Sequence, residues 1–136
     1  MSMSMEMTHA DFRISRADKE KALEAVIAFT IKQGLTDEEY VRNNVLYPSA
    51  KAVFGAENLT EAMKFYGFDL SEDSLSGDIY DIIEFTGYKS VYENELFEVL
   101  APFVKDGSCI IFEVNGEYEK TFNFIGGRLT VETEKL

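Results

Sequence analysis

The stretch Ser108–Glu134, SCIIFEVNGEYEKTFNFIGGRLTVETE, decides the fold of this chain. Its β-branched and aromatic residues alternate with polar ones, and glycine-containing turns interrupt the alternation at two places. The pattern predicts three antiparallel strands joined by hairpins, which are Ser108–Val114, Tyr118–Ile125 and Arg128–Glu134.

The length of the second turn follows from the side chains that it places opposite each other. A two-residue turn at Gly126-Gly127 pairs Phe124 with Leu129, so that an apolar residue faces an apolar residue. The sequence therefore predicts a tight turn at this hairpin.

The first hairpin needs a longer loop by the same reasoning. A two-residue turn at Asn115-Gly116 would place Glu119 on the core face of the sheet, which is costly for a charged side chain. A bulged three-residue loop that also includes Glu117 instead pairs Val114 with Tyr118.

These turns give the predicted sheet two faces of opposite polarity. The apolar face, which helices should cover, carries Ile110, Phe112, Val114, Tyr118, Phe122, Phe124, Leu129 and Val131. The polar face, open to solvent or a partner, carries Glu113, Glu119, Thr121, Asn123, Arg128, Thr130, Glu132 and Glu134.

The remaining sequence predicts a single α+β domain over 1–136, with several helices packed on one face of a largely antiparallel sheet. Residues 1–7 (MSMSMEM) are expected to form a disordered tail. The predicted strands cover 8–15, 68–70 and 78–86, and the predicted helices cover 18–33, 59–66 and 93–105, with shorter helices after the capping box Thr36–Glu39 and at Pro48.

The charge of the chain is strongly negative and unevenly distributed. The formal net charge is −12, and residues 57–136 hold 17 acidic and 6 basic side chains, against 8 and 7 in residues 1–56. This balance disfavours direct binding to nucleic acid or to an anionic membrane, both of which attract basic surfaces. Such crowding of like charge costs folding free energy, so it favours either a solubilising role or recognition of a basic partner protein.

The segment 69–98 is the most acidic part of the chain, with nine acidic side chains and only Lys89 to balance them. Two tyrosines beside these acids are candidate anchors of an interface, because aromatic residues often supply its buried contacts. The candidate partner-binding residues are Asp69, Glu72, Asp73, Asp78, Asp81, Tyr88, Tyr92, Glu93 and Glu95.

The chemistry-bearing residues do not form a recognisable catalytic or metal motif. The chain has one histidine, His9, and one cysteine, Cys109, which excludes a His-pair metal motif and an internal disulfide. An EF-hand loop from Asp69 fails, because Ser74 and Tyr80 stand where Gly and Glu are needed. We therefore expect no metal, no cofactor and no enzymatic activity, although 25 acidic residues leave a carboxylate-based enzyme open. A single cysteine, with neither a signal peptide nor a membrane span, favours the cytoplasm.

The stretch Glu95–Phe112, ELFEVLAPFVKDGSCIIF, resembles a pattern of small uncharacterised acidic α+β proteins carried by bacteriophages and other mobile elements. The shared features are an amphipathic helix, its Ala-Pro-Phe end, an Asp-Gly-Ser turn and the following strand. The resemblance implies no catalytic residue. It implies a role among proteins that block host defence or nucleic-acid enzymes.

The sequence leaves three functional hypotheses. In the first, the chain mimics nucleic acid and occupies a basic, nucleic-acid-binding surface of another protein, such as a nuclease. In the second, it is an immunity or accessory protein that neutralises a toxin through an aromatic hot spot at Tyr88 or Tyr92. In the third, it is a small enzyme that acts through carboxylates.

Overall fold

The structure used here is a computed structural model that describes residues 5–33, 53, 55–85 and 93–136. The helix predicted after Thr36–Glu39, the helix start at Pro48, and the candidate residues Tyr88 and Tyr92 lie outside the described residues.

The described part of the chain has an α+β fold with two antiparallel sheets. A four-stranded sheet has the order β1-β4-β5-β6, and β2 pairs with β3 in a separate hairpin. In chain order the elements are β1 (Met5–Asp11), α1 (Lys19–Lys32), α2 (Leu59–Phe65), β2 (Phe68–Glu72), β3 (Ile79–Phe85), α3 (Glu93–Leu100), β4 (Cys109–Val114), β5 (Tyr118–Ile125) and β6 (Arg128–Lys135).

The register of the C-terminal meander agrees with the sequence prediction at both hairpins. Val114 lies opposite Tyr118 across the three-residue loop, and Phe124 lies opposite Leu129 across the tight turn. Both glycines of the tight turn, Gly126 and its neighbour, have positive φ angles, 61° and 76°. Only glycine adopts this conformation without steric cost, which is why the turn can match the twist of the two strands.

The N-terminal strand corrects the prediction of a disordered tail for residues 5–7, the part of 1–7 that the structure describes. Met5 and Met7 lie in β1, opposite Val114 and Phe112 of β4, and Met5 is only 6% exposed. The two methionines are separated by one residue, so both point to the core side of a strand. β1 consequently begins earlier than the predicted strand 8–15 and ends at Asp11.

The chain beyond β1 ties the two sheets together. Ile14 is fully buried and forms isolated antiparallel bridges to Ile79 of β3 and to Val104. Its backbone N–H donates to the carbonyl oxygen of Ile79 at 2.8 Å, and the Ile79 N–H donates back at 2.9 Å. The β2–β3 hairpin is thereby fixed beside the β1 edge of the larger sheet.

An aromatic core lies between the four-stranded sheet, the hairpin and α3. The ring of Phe97 from α3 lies 5.5 Å from that of Phe122, 5.8 Å from that of Phe12 and 5.0 Å from that of Phe68, measured between centroids. These edge-on and tilted contacts fill the space over one face of the sheet. The helix α1 packs on α2 and α3 outside this layer.

Helix ends follow the local sequence signals. Asn58 caps α2, because its side chain accepts a hydrogen bond from the backbone N–H of Glu61 at 2.9 Å. The helix predicted over 93–105 ends at Leu100, and a 3₁₀ turn containing Pro102 follows, because proline cannot continue the hydrogen-bond ladder. Among the described helices, none has the length and apolar character needed to cross a bilayer.

Candidate functional site

A row of four glutamates crosses the open face of the four-stranded sheet. Glu6 of β1 lies opposite Glu113 of β4, Glu113 lies opposite Glu119 of β5, and Glu119 lies opposite Glu134 of β6. We call these four residues the glutamate row. Neighbouring strands are about 4.8 Å apart, so the row spans about 14 Å. The register of the sheet therefore contributes one carboxylate from every strand to a single line.

The rest of the open face adds the acids Asp11 and Glu132 and, opposite Ile125, the basic Arg128. Asp11 lies opposite Cys109, and Glu132 lies opposite Thr121, so both project on the same side as the glutamate row. Asp11 is paired with Arg13 at 3.3 Å, but no member of the glutamate row forms an ion pair with a described residue.

This arrangement opposes the stability of the fold. Like charges directly opposite each other on a sheet are destabilising, by roughly 0.2–1 kcal/mol for each pair. The glutamate row contains three such pairs in succession. A rigid line of unpaired carboxylates is also an electrostatic surface that attracts cationic groups and orients them.

The β2–β3 hairpin presents a second, smaller group of acids. Asp69 lies directly opposite Glu84, and Asp81 lies opposite Ser71, at positions that alternate with the buried Leu70. Asp69 and Asp81 are thus the two candidate residues that the hairpin holds together on its outer side.

Three other candidate residues of the segment 69–98 stabilise the fold locally. Glu72 pairs with Lys19 of α1 at 2.7 Å, and Asp78 accepts a hydrogen bond from the backbone N–H of Arg16 at 2.7 Å. Asp73 accepts hydrogen bonds from Ser76, from its hydroxyl at 2.5 Å and its N–H at 3.1 Å. These bonds hold the pKa of the Asp73 carboxyl below its usual range. Glu72 and Asp78 therefore connect the hairpin to the chain at the start of α1, and Asp73 stabilises the loop between β2 and β3.

Glu93 is buried, so it does not belong to an exposed acidic surface. It is 6% exposed, and its Oε1 accepts a hydrogen bond from Nζ of Lys120 at 3.1 Å. Among the described residues, none is a hydrogen-bond partner of its Oε2. Lys120 lies on the core face of β5, opposite Phe112, with Nζ 5.4 Å from the ring centroid of Phe122. The pair joins the first residue of α3 to the sheet.

Glu95 lies apart from the other candidate residues, on the exposed side of α3. With Glu98 it borders a shallow cavity of about 430 Å³ between α3 and α1. Lys32 of α1 also lines this cavity, so the two acids there face a basic side chain rather than further acids.

The sequence analysis did not identify Lys120 or Glu6 as important residues, although the sequence pattern around each indicates its position. Lys120 occupies the alternate position between Tyr118 and Phe122, so the predicted register already places it on the apolar face. Glu6 stands between two methionines in an alternating pattern, which places it on the opposite side of a strand from them.

Cys109 lies on the open face as a half-buried thiol. Partial burial, followed by the negative charge of Asp11, raises the pKa of the Cys109 thiol. Because the thiolate is the reactive form, a raised pKa makes the thiol less reactive near neutral pH than a free cysteine. This favours a packing role for Cys109.

We expect Asp11→Asn to speed alkylation of Cys109 by iodoacetamide near neutral pH by roughly threefold, because removal of the neighbouring charge lowers the thiol pKa. The measurement is the alkylation rate as a function of pH, and the profile should shift to lower pH. Glu24→Gln, which removes one charge from the exposed side of α1, is the matched control and should leave the profile in place. An unchanged profile for Asp11→Asn would contradict the assigned electrostatic contact.

The described ranges contain no group of three or more His, Cys, Asp or Glu side chains placed to hold a metal ion. Comparison of the chain with protein families, with curated proteins and with solved structures finds no match.

Proposed function

We propose that this chain is an acidic binding protein that occupies a basic, nucleic-acid-binding surface of a partner protein. The observation that carries the proposal is the glutamate row, Glu6, Glu113, Glu119 and Glu134, which crosses the open sheet face and forms no ion pair with any described residue.

The physical argument is that regularly spaced carboxylates can replace phosphates on a surface built to bind them. Duplex DNA carries one negative charge per about 1.7 Å of helix axis, and proteins that bind it present matching Lys and Arg side chains. A line of carboxylates at intervals of about 4.8 Å on a rigid sheet offers those cations an alternative. Exclusion of the nucleic acid then follows from occupation alone, without a chemical step.

The structure changes which residues we assign to this function. The glutamate row replaces the segment 69–98 as the centre of the proposed surface, and Asp69, Asp81 and Glu84 of the hairpin form a second group. Glu72, Asp73, Asp78 and Glu93 are assigned to folding, because each is already held by a described neighbour. A cytoplasmic nuclease or other nucleic-acid-binding protein is the proposed partner class, and a role against host defence follows only from the resemblance to proteins of mobile elements.

The test starts with capture of partners from a lysate over a series of salt concentrations. Each captured protein is then purified, and displacement of a fluorescently labelled DNA duplex from it is measured by anisotropy. The test variant carries Glu113→Lys, Glu119→Lys and Glu134→Lys together. The matched control carries Glu20→Lys, Glu24→Lys and Glu57→Lys, which change the net charge equally at exposed positions away from the sheet.

The proposal predicts that the test variant loses at least about tenfold in its ability to displace the duplex, while the control stays close to the unsubstituted protein. Added salt should weaken binding by the unsubstituted protein, because screening acts on the exposed Glu6 and Glu134 and to a smaller extent on the half-buried Glu113 and Glu119. Equal losses in the two variants would show a nonspecific effect of net charge and would overturn the proposal. Binding that resists both salt and charge reversal would do the same, and would favour a toxin-neutralising protein with an apolar hot spot.

A further inference from the structure

The strand β6 forms one edge of the four-stranded sheet. All eight of its residues, Arg128–Lys135, pair with β5 without a register shift, and the topology places no described strand on its other side. The strand contains no proline and no bulge, two features that block addition of another strand, and its charged side chains are Arg128, Glu132, Glu134 and Lys135.

One hydrogen bond fixes which backbone groups of β6 point away from the sheet. The N–H of Leu136 donates to the carbonyl oxygen of Glu117 in line with β5, at 2.8 Å. In an antiparallel pair the residues that bond to the neighbour alternate with those that do not. The N–H and C=O groups directed outward are therefore those of Leu129, Val131, Thr133 and Lys135.

Side chains at this edge differ between the two faces of the sheet. On the open face β6 presents Arg128, Thr130, Glu132 and Glu134, all exposed. On the other face it presents Leu129 and Val131, which are half-buried and pack at the border of the core, and then the exposed Thr133 and Lys135. Over the C-terminal half of the open face, an added strand would therefore meet the carboxylates of Glu132 and Glu134.

We propose that the β6 edge accepts an extended segment of the partner protein in which Lys or Arg alternates with apolar residues. The backbone of that segment bonds to the four outward-facing residues of β6. Its basic side chains lie beside Glu132 and Glu134 and extend the glutamate row across a fifth strand. This inference rests on the proposed function, since it names the form in which a basic partner is bound.

Charge favours such a partner over a second copy of this chain. A copy would bring a further net charge of −12 to an edge whose open face carries Glu132 and Glu134 against Arg128. A basic segment instead forms cross-strand pairs of opposite charge, which are worth roughly 0.2–1 kcal/mol each.

The test uses a synthetic peptide, acetyl-Thr-Lys-Val-Lys-Val-Lys-Thr-amide, as the probe. One control peptide carries Glu in place of each Lys, and a second has the same composition with the three lysines contiguous. Amide hydrogen exchange of the protein, read by NMR, is measured with and without each peptide. We expect the alternating basic peptide to slow exchange at Leu129, Val131, Thr133 and Lys135, and the controls to have little effect.

A pair of substitutions at one position separates backbone pairing from simple attraction of charge. Thr133→Pro removes an outward N–H and places a ring at the edge, a change that edge strands tolerate, and should weaken peptide binding by about tenfold. Thr133→Val keeps the N–H and should bind within about twofold of the unsubstituted protein. If Thr133→Pro fails to fold, the exchange pattern of the unsubstituted protein still shows whether the peptide pairs with the backbone of β6.

The outcomes separate this inference from the proposed function. The peptide could bind with an affinity that depends on the glutamate row and yet leave the β6 amides unprotected from exchange. In that case the edge inference is wrong and the proposed function stands. If the acidic control peptide protects the amides equally, the edge binds strands without regard to charge and the edge inference is wrong, whereas the proposed function is decided by the displacement assay. If sedimentation shows that the unsubstituted protein dimerises and Thr133→Pro does not, the occupant is a second copy and the inference is overturned.

Discussion

Substitution of Lys120 by methionine is expected to lower the free energy of unfolding by about 3 kcal/mol, because it leaves the carboxylate of Glu93 buried without its cation. The Glu93 side chain is 8% exposed, and its only described ion pair is the one to Lys120. The expected loss lies at the low end of the range for broken buried ion pairs, because the Lys120 side chain is still 18% exposed to solvent. Methionine preserves most of the length and apolar surface of the lysine stem, so the change isolates the charge.

A double substitution gives the more discriminating result. Glu93→Leu combined with Lys120→Met removes both charges, so it should recover most of the loss and bring stability within about 1 kcal/mol of the unsubstituted protein. Urea unfolding followed by circular dichroism measures all the variants. Lys135→Met on the exposed end of β6 is the control and should change stability by less than about 0.5 kcal/mol. Equal stability of Lys120→Met and the control would show that the pair has no structural role.

The position of Lys120 illustrates what the local sequence determines. The parity argument that selected the three-residue loop also fixes the face of every residue in β5, and the observed register confirms it. What the sequence lacked was the partner, because Glu93 is 27 positions away along the chain, and the predicted helix start at residue 93 does not show which strand it faces. A lysine on an apolar face thus signals a buried acid without identifying it.

The N-terminal strand shows the opposite case, in which the pattern was present but was interpreted as a tail. Met5 and Met7 alternate with polar residues, which is the period of a half-buried strand. Serine and methionine have no strong strand preference, so the alternation carried little weight on its own. The segment forms a strand because it pairs with β4, which brings together residues more than a hundred positions apart in the sequence.

The glutamate row could be predicted only in part, for the same reason. The two meander hairpins place Glu113, Glu119 and Glu134 in one line, and both follow from turn chemistry. Glu6 joins this line because β1 pairs with β4, and no local signal states which strand an N-terminal segment will join. The loop acids Asp73 and Asp78 were predicted to form part of a binding surface because they lie in the most acidic segment of the sequence. Their hydrogen bonds depend on the conformation of the folded loop, which the charge density of a segment does not show.

Substitution of Glu119 by lysine is expected to raise the free energy of unfolding by about 1–2 kcal/mol, because it converts two repulsive cross-strand pairs into attractive ones. Glu119 lies between Glu113 and Glu134, so a single change acts on both contacts. Glu119→Gln, which removes the repulsion without adding attraction, should give an intermediate gain. The measurement is thermal or urea unfolding at low ionic strength, and the gain should shrink as salt is added.

The control for this prediction is Glu117→Lys, which makes the same change in net charge on the exposed loop beside β5. It should alter stability by less than about 0.5 kcal/mol, and a gain equal to that of Glu119→Lys would show that net charge, rather than the glutamate row, limits stability. A more stable Glu119→Lys variant that displaces less nucleic acid from a basic partner would link the two properties. Proteins lie just above the stability they need, so a destabilising line of carboxylates is most simply retained because binding depends on it. A variant that gains stability and keeps full binding would remove that argument and leave the row with a solubilising role alone.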